Sequence, residues 1–510
     1  MDDALAAALA AVPIVALMLS LGVFRVPSHL AVPATLAGTA LLALLGWHMG
    51  PVPVATAALE GAALGLWPIF LVILAAIFTH NLAVHTRSMD TIKAMLREVS
   101  TDRRVQVLIL AWGFGGFLEA VAGFGTAVAI PASILAALGF EPVFAAVICL
   151  IANTVPTAFG AIGIPVITLA RLTGLDPREL GSAVATQLAP FIVIIPFVLV
   201  ILTARGLKGL RGMVGVCLVS GLAFALPQVV VARTLGPELP ALLGSVCSMV
   251  CTVLAARAFG PRGEAAPDAP RAAVTRRQGI LAWMPYVLIF VLIVATSPLF
   301  PAINAPLARV ATRVVIYQGA GAKPFTFSWL TTPGVLILVA ASVGGILQGA
   351  SARALGAVLV KSLRQLTRSA VTVVSIVALA KVMQYSGMIN DLARSLATVT
   401  GRAYPLVAAA IGALGTFVTG SDTSSNVLFG TLQTEVARTL GVDPLWLAAA
   451  NTSGATAGKM ISPQSIAVAT SATGLDGSEG KIFGQTLRFC AVYVLALGIL
   501  VYVGAAVRPR

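Results

Sequence analysis

Two stretches of this chain repeat each other, and both interrupt apolar sequence with residues that break helices. Residues 115–176 contain, in order, GGFLEAVAGFGTAVAI, ALGFEP, ANTVPTAFGAIGIP and TGLD. Residues 415–476 contain GTFVTGSDTSSNVLFG, TLGVDP, ANTSGATAGKMISP and TGLD. Phe117 pairs with Phe417, Gly139 with Gly441, Pro142 with Pro444, and Asn153-Thr154 with Asn451-Thr452. Pro165 pairs with Pro463 and the Gly174-Leu175-Asp176 run with Gly474-Leu475-Asp476, at an offset of about 300 residues throughout. Backbone that leaves the helix at membrane depth must be buried in protein or line a wet cavity. Paired interrupted segments in two halves of a membrane protein therefore point to a transport site.

The surroundings of the repeat set that membrane context. The 510 residues are 58% hydrophobic and 10% charged, with a mean hydropathy of +0.97. Apolar runs long enough to span a bilayer occur at 4–24, 29–47, 66–84, 181–204, 211–233, 239–259, 280–298, 331–348, 369–386 and 482–506. With the shorter pieces of the repeats, an all-α polytopic membrane protein of about 12–14 membrane elements is expected, with broken helices or re-entrant hairpins. The Met-Asp-Asp start lacks the positive n-region of a signal peptide, so the first run is expected to remain a span. The formal charge of +14 does not indicate nucleic acid, because Lys and Arg sit in short loops, where they set topology and meet anionic lipid. The five cysteines lie in apolar spans; Cys247 and Cys251 share a helix face but have no neighbouring His or Cys to complete a metal site.

Loop charge orients the spans. Arg87, Lys93, Arg97, Arg103 and Arg104 form one basic cluster, and Arg205, Lys208 and Arg211 a second. Arg257, Arg262, Arg271, Arg276 and Arg277 form a third, and Arg353, Lys361, Arg364 and Arg368 a fourth. All are expected on the cytoplasmic side. The connection 48–65, with Glu60 alone, reads as external and places the N-terminus outside. The first copy is then entered from the cytoplasm through 85–104, and the second from outside through 387–402. The expectation is an inverted-topology repeat. Its halves are 1–204 and 280–510, joined by a linking hairpin and polar linker at 205–279. Arg309, Arg313, Lys323, Arg508 and Arg510 fall on the outside and run against the rule.

Charges at membrane depth cost a few kcal/mol or more when unpaired, so each needs a reason. Glu119 and Asp422, in matching broken elements, are candidate proton carriers. A salt bridge to Lys459 or Lys381 is the structural alternative. Lys459 has no charged equivalent in the first copy, where Ala161 aligns, and is the candidate partner for a substrate carboxylate. Asn153, Thr154, Ser421, Thr423, Asn451, Thr452, Ser453 and Gln464 are candidate hydrogen-bonding ligands, with capping of broken helix ends as the competing role. Lys381 reads as a snorkelling side chain, His80 and His85 as interfacial anchors, and Glu60 as part of a loop or short interfacial helix. No P-loop is present, so ATP drive is excluded. No nucleophile has an adjacent base, no enzyme is expected, and no cofactor is called for.

Four runs together, GFLEAVAGFGTAVAI, ANTVPTAFGAIGIPV, TGSDTSSNVLFGTLQ and AANTSGATAGKMISPQSIAVA, resemble the bacterial lactate permease family over nearly the whole chain. That resemblance implies proton-coupled symport of L-lactate, D-lactate and glycolate across the inner membrane. It also implies inverted repeats with re-entrant hairpins and a scaffold part beside a transport part, compatible with elevator-type movement. Where similar members carry a LEGAAGFG-like motif, this chain has Ala120 and Val121 in place of Gly and Ala, with the acid kept at Glu119. The implied partners are a small monocarboxylate, protons and the bilayer. An uncoupled organic-anion exchanger or channel is the alternative, since it would need no titrating group.

Overall fold

A computed structural model describes residues 3–24, 26–97, 100, 102–121, 123, 125–259, 274–296, 300–475 and 478–507. Most of the polar linker expected at 260–279 lies outside the described residues, as do Asp476, Arg508 and Arg510. Among the described residues, eleven helical stretches are long and apolar enough to cross a membrane by length and composition.

The chain opens with α1 (Asp3–Met18), α2 (Ser28–Leu45), α3 (Pro51–Leu64) and α4 (Leu71–His85). The last two form one membrane-length run broken ahead of Pro68, where Trp67 leaves the helical region at φ −130° and ψ 111°. Amphipathic α5 (Ser88–Arg97) follows. Next, α6 (Arg103–Val107), the wide turns of Leu108–Phe114 and α7 (Gly115–Val121) form one arm of a hairpin; α8 (Thr126–Ala137) forms the other. Arg103 ties its two ends together, donating to the Gly139 carbonyl and lying 4.4 Å over the Phe140 ring. The segment thus turns back on itself around Gly123 and Gly125. An interrupted helix comes next: α9 (Pro142–Ala152), a tight turn at Pro156–Phe159, and α10 (Gly160–Thr173). In it Ala161, Ile162 and Gly163 all carry positive φ, at 43°, 58° and 76°. Full-length α11 (Pro177–Thr203) is capped by Asp176, which accepts from the Arg178 and Glu179 amides at 3.0 and 2.9 Å.

Linking helices α12 (Val214–Thr234) and α13 (Pro240–Phe259) lead to α14 (Arg276–Ala295) and α15 (Pro301–Ala308). Two short antiparallel strands, β1 (Ala311–Val314) and β2 (Phe325–Ser328), pair Ala311 with Ser328 and Val314 with Phe325; the sequence pattern did not anticipate them. Then follow α16 (Pro333–Leu347), the 35-residue α17 (Ala352–Ser386) and α18 (Met388–Thr400). A second hairpin is built from α19 (Tyr404–Thr419) and α20 (Asp422–Leu440), turning at Gly420 and Ser421. A second interrupted helix, α21 (Pro444–Lys459) and α22 (Pro463–Thr473), precedes full-length α23 (Glu479–Val507). Both repeats therefore follow one order: hairpin, interrupted helix, full-length helix.

The repeats interlock. Asn426 of α20 donates to the Pro165 carbonyl at 3.0 Å, and Gln187 of α11 to the Trp446 carbonyl at 2.9 Å. Between α19 and α21, Gly412, Gly454 and Gly458 bring the backbones so close that a Cβ on Gly454 would collide with the Ala409 carbonyl. Such small-residue contacts replace the hydrophobic drive that lipid removes. Outward faces stay apolar, with Leu226, Val230, Leu254, Val492 and Leu495 all exposed.

Candidate functional site

Both hairpin turns and both helix interruptions line one cavity of about 410 Å³, within the range of small-molecule sites. Gly123 and Gly125 come from the first turn, and Gly420 and Ser421 from the second. Thr157 and Gly160 come from the first interruption, Lys459 and Gln464 from the second. Four irregular segments, each destabilising if exposed to lipid, meet here around one cavity inside the protein.

The cavity holds three charged side chains that the repeat does not share. Glu119 is 2% exposed. Its Oε1 lies 3.9 Å from Lys459 Nζ, and its Oε2 accepts from Asn153 Nδ2 at 2.9 Å. Asp422, also 2% exposed, accepts from Thr416 Oγ1 at 3.2 Å through Oδ1, while Oδ2 is buried with no hydrogen-bond partner among the described residues. Asp422 sits within electrostatic reach of both Lys459 and Glu119. Lys459 ends α21, where the helix carbonyls favour a cation. Helices α20 and α22 both begin at the cavity, so their N–H ends favour an anion.

Of the residues singled out in the sequence, the cavity brings together Glu119, Ser421, Asp422, Thr423, Lys459 and Gln464. Ser421 caps α20, accepting from the Ser424 amide at 3.3 Å, and Ser462 likewise caps α22 with the Ser465 amide at 3.1 Å. Asn153 stands behind Glu119 and orients it. Thr154, Asn451, Thr452 and Ser453 are fully buried and do not line the cavity. Thr154 bonds the Leu150 carbonyl at 3.3 Å, and Asn451 bonds Asn426 at 2.9 Å and Gln433 at 3.2 Å. The sequence-aligned Asn-Thr pairs part company because α9 stops at Ala152 whereas α21 continues to Lys459.

One expectation holds in part and another is corrected. Of the loop or short interfacial helix expected at Glu60, the structure has a helix, α3, with Glu60 buried at 4% exposure. Lys381 does not snorkel; its Nζ lies 3.1 Å from Glu60 Oε1, which also accepts from Tyr385 Oη at 2.7 Å. Sequence reading also missed one cavity wall, formed by Pro27, Ser28 and His29 of the α2 entry and by Arg368, Ser369, Thr372 and Val373 of α17.

The second hairpin turn has a strict local requirement. Gly420 has φ +74°, and a Cβ there would collide with Gln464 Oε1. Gly174 has nearly the same φ, +71°, with open space around it. Gly174→Ala is expected to cost only the left-handed backbone penalty, about 1–2 kcal/mol. Gly420→Ala must also shift the Gln464 side chain, which lines the cavity. Transport assays of both variants should find Gly420→Ala far more impaired; equal loss would mean that the turn's contact with Gln464 is unimportant.

Residues 6–508 match the profile of a family described as L-lactate permease. The chain belongs to the L-lactate permease family. An L-lactate permease of Streptococcus iniae is 52% identical over 87% of this chain and 93% of its own length. The glycolate permease GlcA of Escherichia coli K12 is 35% identical over 99% and 96%, and an L-lactate permease of the same strain 35% over 97% and 95%. In fold, the chain is similar to the Neisseria gonorrhoeae MtrF structure, described as illuminating a class of antimetabolite efflux pumps. That match has a TM-score of 0.52 at 13% identity and covers 94% of this chain and 95% of the other. The permease is a transporter rather than an enzyme, and a multi-pass protein of the bacterial inner membrane.

Proposed function

We propose that the permease is a secondary active transporter that carries lactate and related 2-hydroxymonocarboxylates, glycolate among them, together with protons. The relatives named L-lactate permease and glycolate permease support the substrate class. The observation that carries the coupling is the single cavity in which Glu119, Asp422 and Lys459 meet. With both acids ionised this group has a net charge of −1 and holds Lys459 in internal pairing. Protonation of one acid removes that excess and frees the ammonium, with the N-termini of α20 and α22, for a substrate carboxylate. Gln464, Thr423 and Ser421 then stand within the same cavity to meet the hydroxyl.

The halves 1–204 and 280–510 are, in this reading, inverted about the linking segment 205–279. Between Gly139, at the mouth of the first hairpin, and Tyr404, at the mouth of the second, the crossing elements in this reading are seven, α9 with α10, α11, α12, α13, α14, α16 and α17, while the eight-residue α15 and the 13-residue amphipathic α18 lie along the surface. If each crosses once, their odd number sets the two mouths on opposite faces, and the turns meet midway.

Purified permease in vesicles with an imposed inward proton gradient should accumulate labelled L-lactate and take up protons with it; glycolate should compete. Uptake that merely equilibrates and ignores the gradient would identify an uncoupled exchanger or channel instead.

A further inference from the structure

We infer that Arg368 is a second anion-handling residue, which receives the substrate carboxylate at the cytoplasmic mouth of the cavity and exchanges it with Lys459. The inference rests on the transport reading above and deepens it. The cavity has two unlike walls. One is made of hairpin turns and helix interruptions and carries Glu119, Asp422 and Lys459. The other is made of two continuous helices: the start of α2, with Pro27, Ser28 and His29, and α17, with Arg368, Ser369, Thr372 and Val373. The α17 positions fall on one helix face. Ser28 and Thr372 are bonded to each other at 3.1 Å, which fixes the two helices together at this wall.

Arg368 lies where α17 changes character. Before it the helix carries Arg353, Lys361 and Arg364; after it residues 369–380 carry no charge. This marks the cytoplasmic edge of the apolar span, on the side that basic residues favour. Arg368 is exposed, lines the cavity, and forms no salt bridge among the described residues. Its charge is therefore available to a ligand, and a guanidinium matches a carboxylate in a two-pronged geometry that an ammonium cannot copy. The deeper group has two acids for one lysine, so an arriving anion meets net negative charge until a proton binds. A cation at the mouth offsets that repulsion and raises the local concentration of the anion.

The test uses reconstituted full-length protein assayed from each face, in right-side-out and inside-out orientation, with labelled L-lactate. In Arg368→Gln the half-saturating lactate concentration at the cytoplasmic face should rise about tenfold, the scale of electrostatic focusing in a charged cleft. The external value and the ratio of protons to lactate should be unchanged. Arg368→Lys should fall between the variant and the parent, and Arg368→Glu should be worse than Gln. Size-exclusion profiles should match throughout, since an exposed side chain is being changed. An equal shift at both faces, or none, overturns the proposal while leaving lactate transport standing. Absence of lactate uptake in the parent protein instead overturns the transport reading, and this assignment with it.

Discussion

If the permease couples lactate to protons as proposed, Glu119→Gln or Asp422→Asn, whichever acid carries the proton, is expected to abolish lactate accumulation against its gradient while exchange of labelled for unlabelled lactate survives. The reason is charge arithmetic. Moving a monocarboxylate inward against an inside-negative potential costs about 2.3 kcal/mol per 100 mV, roughly fiftyfold in the accumulation attainable. One accompanying proton cancels that charge. Both acids are buried beside Lys459, so each has the position to bind a proton in exchange for substrate contact. Gln at 119 keeps the side-chain length and an oxygen for Asn153 Nδ2, and Asn at 422 keeps an oxygen for Thr416. Each variant therefore resembles the permanently protonated site: neutral overall, able to hold lactate beside Lys459, unable to release a proton. Counterflow in vesicles without a pH gradient measures the surviving exchange, and pH-driven uptake measures the lost coupling. If only one variant loses accumulation, that residue is the carrier. Full pH-driven accumulation in both removes both acids from the role.

The polar interruptions were readable in the sequence because Gly, Pro, Ser and Asn cluster there together with charges, whereas Gly412, Gly454 and Gly458 only let α19 and α21 pack closely. Glu119, Asp422 and Lys459 stood out there as charges without equivalents in the other copy, and the fold gathers them around one cavity. What repeat alignment does not carry is where each helix breaks. Asn153 falls at the end of α9 and reaches Glu119, whereas Asn451 falls within α21 and is consumed by Asn426 and Gln433. The α2 and α17 wall was illegible for another reason. Ser28 and Thr372 are 344 residues apart, and no local pattern announces that they meet. For Glu60 both a loop and a short interfacial helix stayed open, because Gly50, Pro51 and Pro53 suit either. Here they begin a helix, with Pro at the first position, where its missing N–H costs nothing.

The burial of Glu60 against Lys381 leads to the second large effect, expected away from the cavity. Lys381→Met should destabilise the permease severely, and the double variant Glu60→Gln with Lys381→Met should recover much of the loss. The pair joins α3 to α17: Lys381 Nζ is 3.1 Å from Glu60 Oε1, Tyr385 Oη donates to the same oxygen, and the Tyr317 ring stacks on Tyr385 at 3.7 Å. Side-chain exposure is only 11% for Lys381 and 6% for Glu60, and Glu60 Oε2 lacks a hydrogen-bond partner among the described residues. Removing the ammonium leaves a buried carboxylate held by one tyrosine hydroxyl, a change that costs about 3–5 kcal/mol in comparable buried pairs. Making both partners neutral removes the stranded charge, so the two substitutions should be strongly non-additive. Thermal unfolding of the detergent-solubilised protein reads the effect directly. A snorkelling lysine predicts the opposite pattern, with Lys381→Met nearly silent and the double variant no better than Glu60→Gln alone. The measurement therefore decides between an internal ion pair and a surface anchor.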